Sequence, residues 1–337
     1  MKKQSVLFFI ILVTSFFGGS VGYANDMNYS VQAKIPENQV NKQLTYFDIH
    51  VAPNQQQELK VTVANNSKEK ATIQLNANNA LTNSNGVIEY TKHGVKPDAS
   101  LKYPLEKLIK NPKQKVTLAP GESKEVAFDL QMPKEAIKGT ILGGIHVQKE
   151  DDSKAKDNKK NVTIENVYSY IIGVQIREEL TAVTPKLFLR EVKPTLINYR
   201  TAVSANLQNA TPTHLRKVSI DAAIRKQNSQ KILHQVKKEQ MSIAPNTNFN
   251  FPISWENQVI QPGKYILTMH VTSDQGQWDF TKEFTVKAKD VKKVNDEAVE
   301  VKKEDHTLLY ILSGVIVVLL FGFIWFYLKT RKKETDA

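Results

Sequence analysis

Leu44–Val51 reads LTYFDIHV. Phe47, Ile49 and Val51 fall on one side of an extended chain, and Tyr46, Asp48 and His50 on the other. This is the two-residue period of a strand with one buried face. The pattern continues outward. Leu59, Val61 and Val63 alternate after the turn residues Pro53-Asn54, and Ala71, Ile73 and Leu75 after Asn65-Asn66-Ser67. Val126, Phe128, Leu130 and Met132 form another set, and Ile141, Gly143, Ile145 and Val147 the next. Short alternating strands separated by turn residues predict an all-β chain, here an antiparallel sandwich of immunoglobulin-like type.

The second half repeats the plan. Thr117-Leu118-Ala119-Pro120-Gly121 returns as Ser242-Ile243-Ala244-Pro245-Asn246, each followed by an alternating strand. The second of these strands carries Phe249, Phe251, Ile253 and Trp255. Lys138-Gly139-Thr140-Ile141-Leu142 returns as Pro262-Gly263-Lys264-Tyr265-Ile266, and His146-Val147 as His270-Val271. Val61–Asn65 resembles Ala205–Asn209. Two such halves predict two tandem immunoglobulin-like β-sandwich domains, over 29–150 and 162–288. The charged stretch KEDDSKAKDNKKN, Lys149–Asn161, is the expected boundary, and its aspartates lack the spacing of a calcium loop. The strand resuming over 162–176 could belong to either sandwich.

The ends set the expected location. Lys2-Lys3, the apolar run Val6–Phe17 and the small residues Gly22 and Ala24 around Tyr23 form a secretory signal over 1–24. Leu308–Leu328 reads LLYILSGVIVVLLFGFIWFYL, about the 20 residues that one transmembrane helix requires. Trp325 and Tyr327 stand near its end, and the basic cluster Lys329–Lys333 follows. The expected order is therefore an exported body, a charged spacer over 289–306, a transmembrane helix over 307–328 and a basic cytoplasmic tail over 329–337. A tail that short leaves no room for a signalling domain.

Composition narrows the function. The 337 residues contain no cysteine, so disulfides, thiol catalysis and cysteine metal sites are excluded. The formal net charge of +12 favours anionic surfaces. For an exported body those are wall polymers or lipid headgroups, not nucleic acid. The seven histidines include no HExxH spacing, and no GxSxG or phosphate-binding loop occurs. The expectation is a binding protein, with no enzymatic activity, metal or cofactor. His50, His146 and His270 fall opposite their strands' apolar sets, where surface exposure is expected, and Trp255 and Trp278 share faces with core residues.

One region stands apart. Between Leu75 and Val116 the first half carries an insertion that the second half lacks. It holds the hairpin signal Asn85-Gly86, then Val87-Ile88-Glu89-Tyr90, Lys92-His93-Gly94, Tyr103 and a short helix from Leu105 to Lys110. Long loops on rigid sandwiches often carry binding residues. Tyr90, Lys92, His93 and Tyr103 suit a glycan bearing acidic groups, since rings stack on sugars and ammonium meets carboxylate. The exposed strand faces around Tyr46, His50 and His146 are the alternative site. Gly143-Gly144 leaves a sheet face bare or marks a bulge.

Several motifs together resemble the WxL-interacting proteins of Gram-positive bacteria. In the first half they are Ile35-Pro36-Glu37-Asn38-Gln39, Gln43–Asp48, Ser100–Pro104, Leu118–Ser123 and Gly139–His146. In the second they are Tyr170–Val174, Ala244-Pro245-Asn246 before Phe249, Pro262–Tyr265, and Trp278 before Phe284. The resemblance implies a peptidoglycan-binding domain followed by a host-binding domain, with peptidoglycan, WxL-domain surface proteins and host matrix proteins as partners. It implies no catalytic residues. The alternative reading is a host-matrix adhesin in which wall contact is incidental.

Overall fold

The computed structural model describes residues 28–150, 168–299 and 307–334, with side chains of the last segment given for 311–325. The expected signal over 1–24, the aspartates of the 149–161 stretch and the distal spacer over 300–306 lie outside the described residues.

The alternating stretches form strands. In the first unit these are β1 (Tyr29–Lys34), β2 (Phe47–His50), β3 (Gln56–Asn65), β4 (Ala71–Asn79), β7 (Lys113–Leu118), β8 (Ser123–Gln131), β9 (Thr140–Lys149) and β10 (Ser169–Arg177). They make a three-stranded sheet, β1-β3-β8, and a five-stranded sheet, β2-β10-β9-β4-β7. One apolar cluster draws on both sheets. Leu59, Val61 and Val63 of β3 and Phe128 of β8 meet Ile73 and Leu75 of β4, Ile145 and Val147 of β9 and Val174 of β10. Burial of each alternate residue is the dominant stabilising term, at about 1.5–3 kcal/mol for each large side chain.

The second unit contains β11 (Leu187–Ile197), β12 (Arg200–Asn209), β13 (Leu215–Lys226), β14 (Ile232–Ile243), β15 (Thr247–Ser254), β16 (Gly263–Ser273) and β17 (Gly276–Val286). Its sheets are β11-β12-β15 and β14-β13-β16-β17, and its core includes Phe251, Ile253, Trp255, Tyr265 and Leu267. Trp278 is packed against that core but only partly buried. A two-stranded ladder pairs β5 (Leu81–Thr82) with β6 (Ile88–Glu89).

The internal repeat is physical. Gly121 has φ 72° and Asn246 has φ 51°, so both Ala-Pro turns end in the left-handed region that Gly and Asn tolerate. Asn65 Nδ2 donates to Ala119 O at 3.0 Å, and Asn209 Nδ2 donates to Ala244 O at 3.0 Å. Each buried asparagine adds a second donor to a turn carbonyl, beside Glu122 N at Ala119 O and Thr247 Oγ1 at Ala244 O.

Three details differ from the sequence expectation. First, β10 follows the 149–161 stretch yet pairs with β9 and β2, so that stretch does not separate the two units. Of the described residues, one unit takes in 28–81, 89–150, 168–183 and 211–213, and the other takes in 82–88, 184–210, 214–299 and 307–334. Second, β10 runs parallel to β2, so the five-stranded sheet is mixed. Third, the start of the expected spacer is a helix, α2 (Ala288–Glu297), named after the short α1 (Leu105–Leu108). Val291 and Val294, three residues apart, pack into the second core. Asn295 is hydrogen-bonded to the backbone N and O of Ile260 at 3.1 and 3.0 Å. The helix α3 (Thr307–Glu334) covers the C-terminal apolar run; among the described residues, which include its side chains only over 311–325, no helix is long and apolar enough to cross a membrane.

Candidate ligand-binding face

Strand β9 lies at the middle of the five-stranded sheet. Ile141, Gly143, Ile145 and Val147 point to the core side, so Leu142, Gly144, His146 and Gln148 take the outer face. The register extends this face into rows. Lys113 of β7, Asn76 of β4, His146 of β9 and Ile171 of β10 are direct neighbours. The row above holds Lys115, Gln74, Gln148 and Ser169. The row below holds Asn78, Gly144 and Gly173, with Tyr46 beside them just before β2.

Two tyrosines sit over the paired glycines. A Cβ on Gly144 would lie 3.0 Å from the Tyr90 ring, and one on Gly173 would lie 3.6 Å from the Tyr46 ring. Burial pushes the Tyr90 hydroxyl up to about 12, and the neighbouring Tyr46 adds to the rise. The Tyr90 hydroxyl is therefore neutral at physiological pH and acts as a hydrogen-bonding group. Tyr46 remains 39% exposed, so its ring is open to a ligand. The glycine pair is neither a bare face nor a bulge. The β9 registers run unbroken, Gly144 is covered by Tyr90, and the space beside Gly143 is filled by Leu105 of α1.

Asn78 fixes the loop that carries Tyr90. Its Nδ2 donates to Tyr90 O at 2.6 Å, and its Oδ1 lies 2.7 Å from His93 Nδ1. Glu106 accepts from Gly94 N at 3.2 Å, and Asn79 N lies 3.4 Å from the same carboxylate. The insertion is thus tied to the end of β4 before any ligand arrives, and a preorganised site loses less conformational entropy on binding.

His146 corrects an expectation. It takes the outer side of β9 but is only 8% exposed. Burial lowers its pKa, so the neutral ring, one donor and one acceptor, prevails near pH 7. Beside it Ile171 is 39% exposed. Asp48 is also not a surface group. It is 5% exposed, accepts from Gln175 Nε2 at 2.8 Å and pairs with Arg177 across the parallel β2–β10 ladder. His50 stays exposed, with Nε2 3.0 Å from Glu178 O.

The structure therefore divides the sequence candidates. Tyr46, Tyr90 and His146 meet on the outer face, with His93 locking the loop. Tyr103 is engaged elsewhere: its hydroxyl donates to Glu135 at 2.7 Å, and Lys102 lies 5.0 Å over its ring. The Glu135 carboxyl is held below its usual range by Lys102 and then by Tyr103. Lys92 forms an exposed pair with Glu89 at 2.6 Å. The amides Gln74, Asn76, Asn78, Gln148 and Gln175 were missed. The i, i+2 spacing of the first three was the available signal, since it places three carboxamides on one strand face. Aromatic rings and neutral amides side by side match a saccharide, whose C–H faces stack and whose hydroxyl and acetamido groups donate and accept.

The second unit carries its own polar face on β11-β12-β15. Asn206 Nδ2 donates to Asn248 Oδ1 at 3.1 Å and to Asn250 Oδ1 at 3.0 Å. Arg190 donates to Gln208 at 2.7 Å and lies 4.5 Å over the exposed Phe188 ring. Among the described residues no group of three or more His, Asp or Glu could hold a metal ion.

Residues 29–149 match the family described as "WxL Interacting Protein, peptidoglycan binding domain", and residues 159–296 match "WxL Interacting Protein, host binding domain". No curated protein matches the chain. Among solved structures, a chain of the chaperone–tip adhesin complex of CFA/I fimbriae biogenesis is similar at 11% identity and TM-score 0.30, covering 76% of this chain and 98% of its own. The YadV chaperone is 9% identical with TM-score 0.30, covering 77% and 100%. The E. coli chaperone DraB is 14% identical with TM-score 0.27, covering 77% and 97%.

Proposed function

The chain belongs to the WxL-interacting protein family, and from that premise we propose a membrane-anchored, non-enzymatic cell-surface protein whose first domain binds peptidoglycan. The observation that carries the site is the outer face of the five-stranded sheet, where Tyr46 and Tyr90 cover paired glycines beside His146 and a set of carboxamides. The second domain presents Phe188, Arg190 and the asparagine ladder to a WxL-domain surface protein or a host ligand.

Anchoring rests on the apolar run Leu308–Leu328 and the basic cluster after it. Side chains such as Val318, Phe321 and Phe323 are exposed along the described part of α3, which has no polar face. A helix apolar all round requires an apolar environment. The body then faces the wall, with the C-terminus cytoplasmic.

The test uses the whole chain, because residues 82–88 and 211–213 each belong to the unit other than the one surrounding them in sequence, and cutting at 150 would remove a piece of each. The native protein in detergent sediments with purified peptidoglycan. Tyr46→Ala lowers the bound fraction several-fold with little change in melting temperature, since Tyr46 is already half-exposed. Equal sedimentation of the folded variant would move the site off this face. Protease added to wall-stripped cells should remove the body and leave a small membrane fragment holding Leu308–Leu328. A body that stays protected until lysis would overturn the topology.

A further inference from the structure

The candidate face has a charged end. Lys113 stands on the edge strand β7, exposed, in the row shared with Asn76, His146 and Ile171. Among the described residues it has no carboxylate partner. Its neighbours differ: Lys115 is paired with Glu150, which also accepts from Gln74, and Lys92 is paired with Glu89. At the opposite end Arg177 is neutralised by Asp48. The face therefore presents tyrosines toward β2, amides across β9 and β4, and at the β7 edge the Lys113 ammonium, uncompensated among the described residues. The ammonium stands two strand spacings, about 10 Å, from the β9 strand whose Gly144 Tyr90 covers, and four spacings, about 19 Å, from Tyr46 beside β2.

We propose that Lys113 sets the orientation of the ligand: the saccharide lies over Tyr46 and Tyr90, and a carboxylate of its peptide branch meets the Lys113 ammonium. This rests on the peptidoglycan reading and adds which part of the polymer is recognised where. A neutral glycan would leave Lys113 unused. A glycan bearing an acidic peptide gains an exposed ion pair, weak and sensitive to salt.

The test is calorimetric titration of the full chain in detergent with two soluble probes. One is a disaccharide-tetrapeptide released from peptidoglycan, and the other is a neutral N-acetylglucosamine tetramer. Lys113→Gln is expected to weaken the disaccharide-peptide about threefold, within the range of an exposed pair, and to leave the tetramer unchanged. Lys113→Arg should retain binding of both, and raising the salt well past 0.15 M should shrink the difference between wild type and Lys113→Gln. Because Lys113 is exposed on an edge strand, neither substitution disturbs the core. Unchanged disaccharide-peptide binding in Lys113→Gln, or an equal loss for both probes, overturns the proposal while leaving the peptidoglycan reading standing. If the wild type binds neither probe nor whole peptidoglycan, the reading itself fails and the orientation with it.

Discussion

Asn78 Nδ2 donates to the carbonyl oxygen of Tyr90 at 2.6 Å, joining the end of β4 to the loop that covers Gly144. The same carboxamide holds His93 through Oδ1, so one buried side chain satisfies two parts of the insertion. Removing it strands a backbone carbonyl and an imidazole nitrogen together. We predict that Asn78→Ala costs about 1–3 kcal/mol and loosens the Tyr90 loop. Urea denaturation should show a lowered midpoint with unchanged slope, and peptidoglycan sedimentation should fall with it. A loss of stability without any loss of binding would show that the loop is not part of the site.

The glycines of the sheet offer a graded test. A Cβ on Gly143 would come 2.5 Å from the backbone oxygen of Asn78 and 2.4 Å from Leu105. On Gly144 it would meet the Tyr90 ring at 3.0 Å, and on Gly173 the Tyr46 ring at an ordinary 3.6 Å. Overpacking typically costs about 1–3 kcal/mol. The expected loss of melting temperature therefore runs Gly143→Ala, then Gly144→Ala, then Gly173→Ala, with the last nearly neutral. Any other order would mean that the sheet gives way more easily than its backbone neighbours allow.

Tyr103 separates structural tyrosines from binding ones. Its hydroxyl is spent on Glu135, and its ring packs partly against the first core. Tyr103→Phe is predicted to leave peptidoglycan binding unchanged and to lower stability by no more than about 1 kcal/mol. A binding loss of several-fold in a folded Tyr103→Phe protein would return that residue to the site.

His234 predicts an acid sensitivity of the second unit. It is buried against Trp255 with ring centroids 4.1 Å apart, and its Nδ1 has no partner among the described residues. Burial lowers its pKa, while Glu256 opposes that shift. The folded state thus holds the neutral ring and the unfolded state takes up the proton at its ordinary value near 6.5. The stability from the neutral ring is fully present above that value and is lost as pH falls below it toward the lowered folded pKa. The melting temperature should fall as pH drops below about 6.5, and His234→Phe should flatten that fall. An identical pH profile in His234→Phe would assign the sensitivity to other groups, of which the partly buried His214, whose pKa burial also lowers, is the first candidate.

The amino-acid order alone determined which residues are core. Phe47, Ile49, Val61, Ile73, Phe128, Val147, Phe251 and Trp255 are all buried as their alternation requires, because side chains of an extended chain change face at every residue. The repeat was legible for a similar reason: a turn that needs a left-handed residue shows Gly121 or Asn246 in any context. What tertiary structure decided is which strand lies beside which. Pairing of β10 with both β9 and β2, across a long charged stretch, is what sets Gly173 beside Gly144 and brings Tyr46 to Tyr90. The same pairing buries Asp48 against Arg177, although period-two reading puts that aspartate on a polar face. His146 and His270 occupy matching places in the repeat, yet only the first is buried, because residues distant in sequence cover one sheet face and not the other. Alternation is a property of neighbouring residues and can be read along the chain. Strand order, and what covers an outer face, depends on contacts between segments far apart in sequence, and no local pattern encodes them.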